Sequence, residues 1–281
     1  MNRIEEEIVR YSKTMPQYRE SLDFLRKILK FQSSLADRII ANADEKMPLH
    51  PPDSAEADDQ LQSGLPLFEK KSVNIPPILF RKAMEELRLL LPQDSARSAL
   101  DRLLGSELMA TENIETMLKE LNTDSTSCVN RLAEAAAAGT DILLFLLHTV
   151  LSPFFEIQAG FYRELLNSVS WRHGRCPMCG SEPGMARLAA DDGRRILACF
   201  LCHTEWVFDR LRCPFCEYNG PPIIRHFTVD DDNAHRVDCC DACGRYLKVV
   251  DERVMGRPSS LPVEDVITAH LDMLAKEQRY R

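Results

Sequence analysis

The chain has 281 residues, 44% hydrophobic and 28% charged, which suits about two globular domains and excludes a chain disordered throughout. Its formal charge of -8 at pH 7 argues against nonspecific binding to a phosphate backbone. The charged start, Met1-Asn-Arg-Ile-Glu-Glu-Glu7, has no apolar core of a secretory signal, so a cytoplasmic location is expected.

Residues 3–45 read as helical with a break near Pro16, and Leu22, Leu25, Ile28, Leu29, Leu35 and Ile39 share one face. From 46 to 77, Pro48, Pro51, Pro52, Pro66, Pro76 and Pro77 predict an irregular surface loop that helices do not cross, with Leu65-Pro-Leu-Phe68 as a short anchor. Helices are predicted again over 78–91, 96–104, 112–121 and 125–138, the second capped by Asp94 or Ser95. The apolar run 142–151 is shorter than the roughly 20 residues a bilayer requires, so it reads as a buried central helix. Ser152-Pro153 is expected to reset the chain into a new helix carrying Phe154, Phe155, Ile157, Phe161, Leu165 and Leu166. His148 and Cys128 read as core residues. No G-x-G-x-x-G, phosphate-binding loop, H-E-x-x-H or G-x-S-x-G occurs, so residues 1–170 are expected to form an all-helical domain without a catalytic signature.

Residues 171–250 differ in kind. Cys176-Pro-Met-Cys179, Cys199-Phe-Leu-Cys202, Cys213-Pro-Phe-Cys216 and Cys240-Asp-Ala-Cys243 hold eight of the ten cysteines. A two-residue gap lets both thiolates of a tight turn address one tetrahedral centre, and two such turns complete a four-sulfur site for zinc or iron. Without export, such pairs read as metal ligands rather than disulfides. Hairpins are predicted between the turns: 185–198 around Asp192-Gly193, and 223–237 around Asp230-Asp-Asp-Asn233. A hairpin returns the chain beside its start, which favours one site of Cys176, Cys179, Cys199 and Cys202 and another of Cys213, Cys216, Cys240 and Cys243. A cross-braced arrangement, joining the first turn to the third, is the alternative. A last strand over 246–250 and a tail, 251–281, with one amphipathic helix over 263–277 complete an α+β chain.

Four thiolates close a tetrahedral site and leave no position for substrate or activated water, which argues for a structural metal. Gly180 and Gly244 follow two of the turns, where free backbone angles help, whereas His203 and Glu217 stand there in the other two and predict strain. Cys239 is left over as a spare thiol, an alternative ligand or a redox partner of Cys240. His173, His203, His226 and His235 read as turn residues or outer donors.

Together, Trp171-Arg-His-Gly174-Arg-Cys176-Pro-Met-Cys179-Gly-Ser-Glu-Pro183, Cys199-Phe-Leu-Cys202-His-Thr204-Glu-Trp206, Arg212-Cys213-Pro-Phe-Cys216 and Cys240-Asp-Ala-Cys243-Gly-Arg-Tyr246-Leu-Lys248 resemble the FdhE family of formate dehydrogenase accessory proteins. The closing Thr268-Ala-His-Leu-Asp272 is similar to that family's end. The resemblance covers residues 171–281 and implies a cytoplasmic, non-enzymatic maturation factor with two rubredoxin-like knuckle pairs. It implies iron in both sites, zinc being chemically equivalent in geometry, and as partner the catalytic subunit of a respiratory formate dehydrogenase before export. The metal could fold the module only, or also serve a redox role.

Two other functions fit tandem Cys-x-x-Cys turns. A zinc-ribbon nucleic-acid binder would use Arg172, Arg175, Arg194, Arg195, Arg210 and Arg212, against which stand the acidic balance and the aspartates at both hairpin tips. A thiol oxidoreductase would need a thioredoxin-like βαβ context, which the pattern lacks.

Overall fold

The amphipathic runs of the N-terminal half fold into helices, and the cysteine-rich stretch folds into strands. The computed structural model describes residues 2–42, 54–123, 126–167, 171–218, 220, 224–229 and 232–281. Its helices are α1 (Asn2–Thr14), α2 (Arg19–Ala41), α3 (Ser54–Gln62), α4 (Pro77–Leu90), α5 (Ser95–Leu104), α6 (Thr111–Leu121), α7 (Thr126–Ala136), α8 (Thr140–Tyr162), α9 (Glu252–Met255), α10 (Leu261–Ile267) and α11 (Ala269–Glu277). Its strands are β1 (Pro183–Leu188), β2 (Arg195–Cys199), β3 (Glu205–Phe208), β4 (Ile224–Val229), β5 (Asp232–Cys240) and β6 (Arg245–Asp251). Two compact units result: Met1–Arg26, Pro52–Leu67 and Glu164–Arg281 form one, and Lys27–Pro51 and Phe68–Arg163 the other.

The second unit is helical. Phe80, Met84 and Leu87 of α4, Leu100 and Leu103 of α5, Ile114 and Met117 of α6, and Leu146, Val150, Phe154 and Phe155 of α8 are buried. Asp94 caps α5, accepting from the Ala96 and Arg97 N–H groups, as expected of that residue type. Contrary to the expected reset at Ser152-Pro153, α8 runs unbroken through Pro153. Proline lacks the N–H that would reach the carbonyl four residues back. Here that carbonyl, of Thr149, accepts from the Gln32 side-chain amide at 3.1 Å, so the helix continues. The segment Thr140–Leu166 is thereby long and apolar enough to cross a bilayer, yet 61% of its most apolar window is buried inside the protein. His148 is half-buried on it, and Cys128 of α7 is fully buried.

The first unit is built on one six-stranded mixed sheet with strand order β3-β2-β1-β6-β5-β4. Neighbours pair antiparallel except β1 with β6, which run parallel with Met185 opposite Lys248. The two expected hairpins are therefore halves of one sheet, joined where β6 docks beside β1. Residues 230–231 of the second predicted turn lie outside the described residues. Leu271 and Ala275 of α11 bury Val237 and Cys239 of β5, and Leu261 of α10 covers Met185 and Val250. In the same unit, Ile8 and Tyr11 of α1 pack with Leu22, Val263 and Ile267.

Two other expectations require correction. Part of the region read as an irregular loop is helix α3, where Ala57 and Leu61, one turn apart, are buried. The predicted anchor does tuck in, with Leu67 and Phe68 buried and the Leu67 N–H bonded to the Pro177 carbonyl at 2.8 Å. The predicted terminal helix is two helices, because the Thr268 hydroxyl bonds to the Glu264 carbonyl at 2.6 Å and the chain bends there.

Candidate metal centres

Antiparallel pairing of β1 with β2 sets Pro183 opposite Cys199 and so brings the first two turns together. The Sγ atoms of Cys176 and Cys202 are 3.5 Å apart, and Cys179 lies 3.6 Å from both Cys199 and Cys202. All four are buried. Pairing of β4 with β5 sets Ile224 opposite Cys240 and gathers the second set, with Cys213–Cys243 at 3.8 Å and Cys216–Cys240 at 3.7 Å. Within each set every sulfur lies within 4.8 Å of the others. The sequential arrangement is thus the one the chain adopts, and the cross-braced one is not.

A regular tetrahedron with metal–sulfur bonds of about 2.3 Å has sulfur–sulfur edges of about 3.8 Å. The observed separations match that cage, so each set could hold one ion. Burial pushes the Cys176 and Cys199 thiols up, while hydrogen bonds from neighbouring thiols hold Cys179 down. Four thiolates packed this closely repel one another unless a cation sits among them. Backbone N–H groups also aim at sulfur in the first set: Met178 at Cys176 (3.4 Å), and Leu201 and Cys202 at Cys199 (3.3 and 3.4 Å). The Thr204 hydroxyl lies 3.2 Å from the Cys202 sulfur.

The residue after the second cysteine is left-handed in all four turns, with φ of 70° at Gly180, 55° at His203, 56° at Glu217 and 68° at Gly244. Glycine adopts this geometry without cost, whereas His203 and Glu217 carry the expected strain. At Glu217 the side chain offsets it. Its carboxylate accepts from the Gly174 N–H at 2.8 Å and from Arg212 at 2.5 Å. Arg212 also donates to the Arg172 carbonyl at 3.0 Å, and the Trp206 indole N–H to the His173 carbonyl at 3.1 Å. The lead-in to the first turn is thereby fastened to the third turn. Arg245 makes a second link, stacking 3.9 Å from the Phe215 ring centroid and forking onto Glu182 at 2.6 Å. These cross-links had no signal in the cysteine spacing. Trp206, Tyr246 and Lys248 were visible only as parts of the resemblance. Tyr246 and Lys248 bond to Asp272 of α11, at 2.9 and 2.6 Å.

Cys239 points to the opposite sheet face from Cys240, into the apolar contact with Val237, Leu271 and Ala275, and burial pushes its thiol up to about 12. It belongs to neither set. Among the described residues no histidine joins the sulfurs. His173 stacks edge-on against Trp171, His226 is exposed on β4, and His235 is buried between Asp232 and Glu264.

The family model for the FdhE central domain matches residues 175–210, which include the first sulfur set and β1 to β3. The chain is similar to the FdhE family. An FdhE homolog of Aquifex aeolicus is 24% identical over 272 residues, covering 94% of this chain and 87% of that protein. The FdhE protein of Escherichia coli O127:H6 is 32% identical over 108 residues, 37% of this chain and 34% of that one. The crystal structure of FdhE from Pseudomonas aeruginosa aligns over 99% of this chain and 92% of that one, with a TM-score of 0.55 at 20% identity, and so shares the fold.

Proposed function

We propose that this chain is a non-enzymatic accessory factor for formate dehydrogenase, which binds the catalytic subunit in the cytoplasm before its export. The observation that carries this reading is the pair of closed four-sulfur sets on one sheet of a chain similar to the FdhE family. Cys176, Cys179, Cys199 and Cys202 would hold one ion, and Cys213, Cys216, Cys240 and Cys243 the other. Bound iron or zinc supplies a tetrahedral charge centre that locks the turns, and iron adds a one-electron couple. The protein's own part is to fix the sulfur positions through β1–β2 and β4–β5 pairing and to bury most of them. Four protein ligands leave no coordination position for a substrate, which supports binding rather than catalysis.

The nucleic-acid reading is weakened by where three of its six arginines go, Arg194, Arg195 and Arg212, although Arg172, Arg175 and Arg210 are exposed. Arg187 pairs with Glu205 and Glu252, Arg194 with Asp191 and Asp192, Arg212 with Glu217, Arg225 with Asp241, and Arg245 with Glu182. Arg195 is buried against Asp238 at 3.3 Å. Cations held by carboxylates are poorly placed to meet phosphates.

Anaerobic, low-salt affinity capture of the tagged chain from cells making the dehydrogenase is expected to recover the catalytic subunit. Consistent recovery of none, with the subunit abundant in the lysate, overturns the proposal.

A further inference from the structure

The two sulfur sets differ in what shields them. All four thiols of the first are buried, and backbone N–H groups reach sulfurs in both sets, so burial is what separates them. In the second, Cys213 and Cys240 are buried, but Cys216 is exposed and Cys243 half-buried. The two shielded ligands are also the anchored ones. Cys240 ends β5, opposite Ile224 and Arg245, and Cys213 adjoins Pro214, whose carbonyl is packed against Gly174. Cys216 sits at the outer end of its turn, followed by Glu217 with its left-handed backbone.

A four-sulfur site releases its ion by associative exchange. An incoming donor bonds to the ion as one metal–sulfur bond breaks, and the departing thiolate takes a proton from solvent. That path needs a ligand the incoming donor can reach and a sulfur free to leave while others hold. In the first set no sulfur is reachable. In the second, Cys216 and then Cys243 are, while Cys213 and Cys240 remain in place.

Resting on the proposal that both sets bind metal, we infer that the two centres divide their roles. The Cys176 centre is a permanent part of the fold. The Cys213 centre is exchangeable: Cys216 and Cys243 are the ligands an external thiolate or nitrogen-donor acceptor would displace, while Cys213 and Cys240 would be the last to hold a bound ion.

The test uses the full-length chain loaded with two zinc ions and the chromogenic chelator 4-(2-pyridylazo)resorcinol. One equivalent is expected to leave at least about tenfold faster than the other. Pulsed iodoacetamide labelling with peptide mass spectrometry is expected to mark Cys216 and Cys243 during the fast phase and to leave Cys176, Cys179, Cys199 and Cys202 unmodified. The Cys216→Ser variant is expected to lose the fast equivalent and keep the slow one. Should that variant fail to fold, labelling of the parent chain still decides. Release of both ions in one phase, or earlier labelling of the first set, overturns the division of roles while leaving two-metal binding intact. A chain that takes up no metal overturns both.

Discussion

His235 on β5 and Glu264 on α10 meet in the protein interior, with the imidazole Nε2 2.8 Å from the carboxylate Oε2. The other ring nitrogen lies 2.7 Å from Asp232. Glu264, fully buried, also accepts from the Tyr11 hydroxyl at 3.0 Å, and Arg257 joins Tyr11 at 2.6 Å and Glu7 at 2.6 Å. The Ser260 N–H completes the chain of bonds by donating to Glu7 at 3.0 Å. Burial, and then Glu264, hold the Tyr11 hydroxyl above its ordinary range. One connected polar network therefore ties α1 to β5 and α10, with its partners supplied from both ends of the chain.

That network makes stability depend on pH. Burial lowers the His235 pKa, but hydrogen bonds and charge from Glu264 and Asp232 outweigh it and leave the value raised. A raised folded value stabilises fully below the unfolded value of about 6.5 and loses that contribution as pH rises through the folded value. His235→Gln is expected to melt well below the parent at about pH 5.5, with the gap narrowing by about pH 9. Thermal melts of the metal-loaded proteins at both pH values check it, and a gap that stays constant counts against the assignment.

Metal removal should act on one unit first. Both tryptophans, Trp171 and Trp206, lie in the sheet unit and bond to the lead-in of the first turn. Four thiolates gathered within 4.8 Å repel one another without an ion, so the turns beside these indoles depend on it for their packing. Stripping with a strong chelator under reducing conditions is expected to red-shift the tryptophan fluorescence while most far-ultraviolet helical signal from α4 to α8 persists. Unchanged fluorescence in metal-free protein would contradict this dependence.

Gly174 is fixed by a close approach. A Cβ there would sit 1.8 Å from the Pro214 carbonyl oxygen, inside any tolerable contact. Gly174→Ala is expected to destabilise the sheet unit by about 3 kcal/mol through forced displacement of the third turn. Gly160→Ala is the control, since Gly160 lies within α8 with open space around it, and should stabilise by about 0.5–1 kcal/mol. Urea midpoints of the two variants should move in opposite directions.

The strained backbone at Glu217 should cost less than its carboxylate returns. Glu217→Gly relieves a left-handed non-glycine residue but deletes the bonds to Gly174 and Arg212, so a net loss of about 1–2 kcal/mol is expected. Denaturation of the zinc-loaded variant checks it, and a gain in stability would refute a supporting role for the Glu217 carboxylate.

Local chemistry was legible from the residues alone. The Cys-x-x-Cys spacing identified four turns, the intervening Asp192-Gly193 turn foretold a returning hairpin, and the residues after each turn marked where backbone strain would fall. These features need only neighbours a few positions apart, so spacing and residue type decide them. Even there, local rules misread Pro153, because the Gln32 amide that satisfies the orphaned carbonyl comes from another helix. What tertiary structure alone decided is which partners meet over long separations. The parallel docking of β6 on β1 fuses the two sulfur-bearing halves into one sheet, and nothing in either apolar strand names the other. Likewise the pattern over 3–45 says that helices form there, while the apolar burial of Ile8 and Tyr11 against Val263 and Ile267, and the Arg257–Glu7 pair beside it, join segments far apart in the chain. Hydrophobic pattern fixes a face, but it carries no address; the exposure of Cys216 beside buried Cys213 and Cys240 and half-buried Cys243 is a result of that nonlocal assembly.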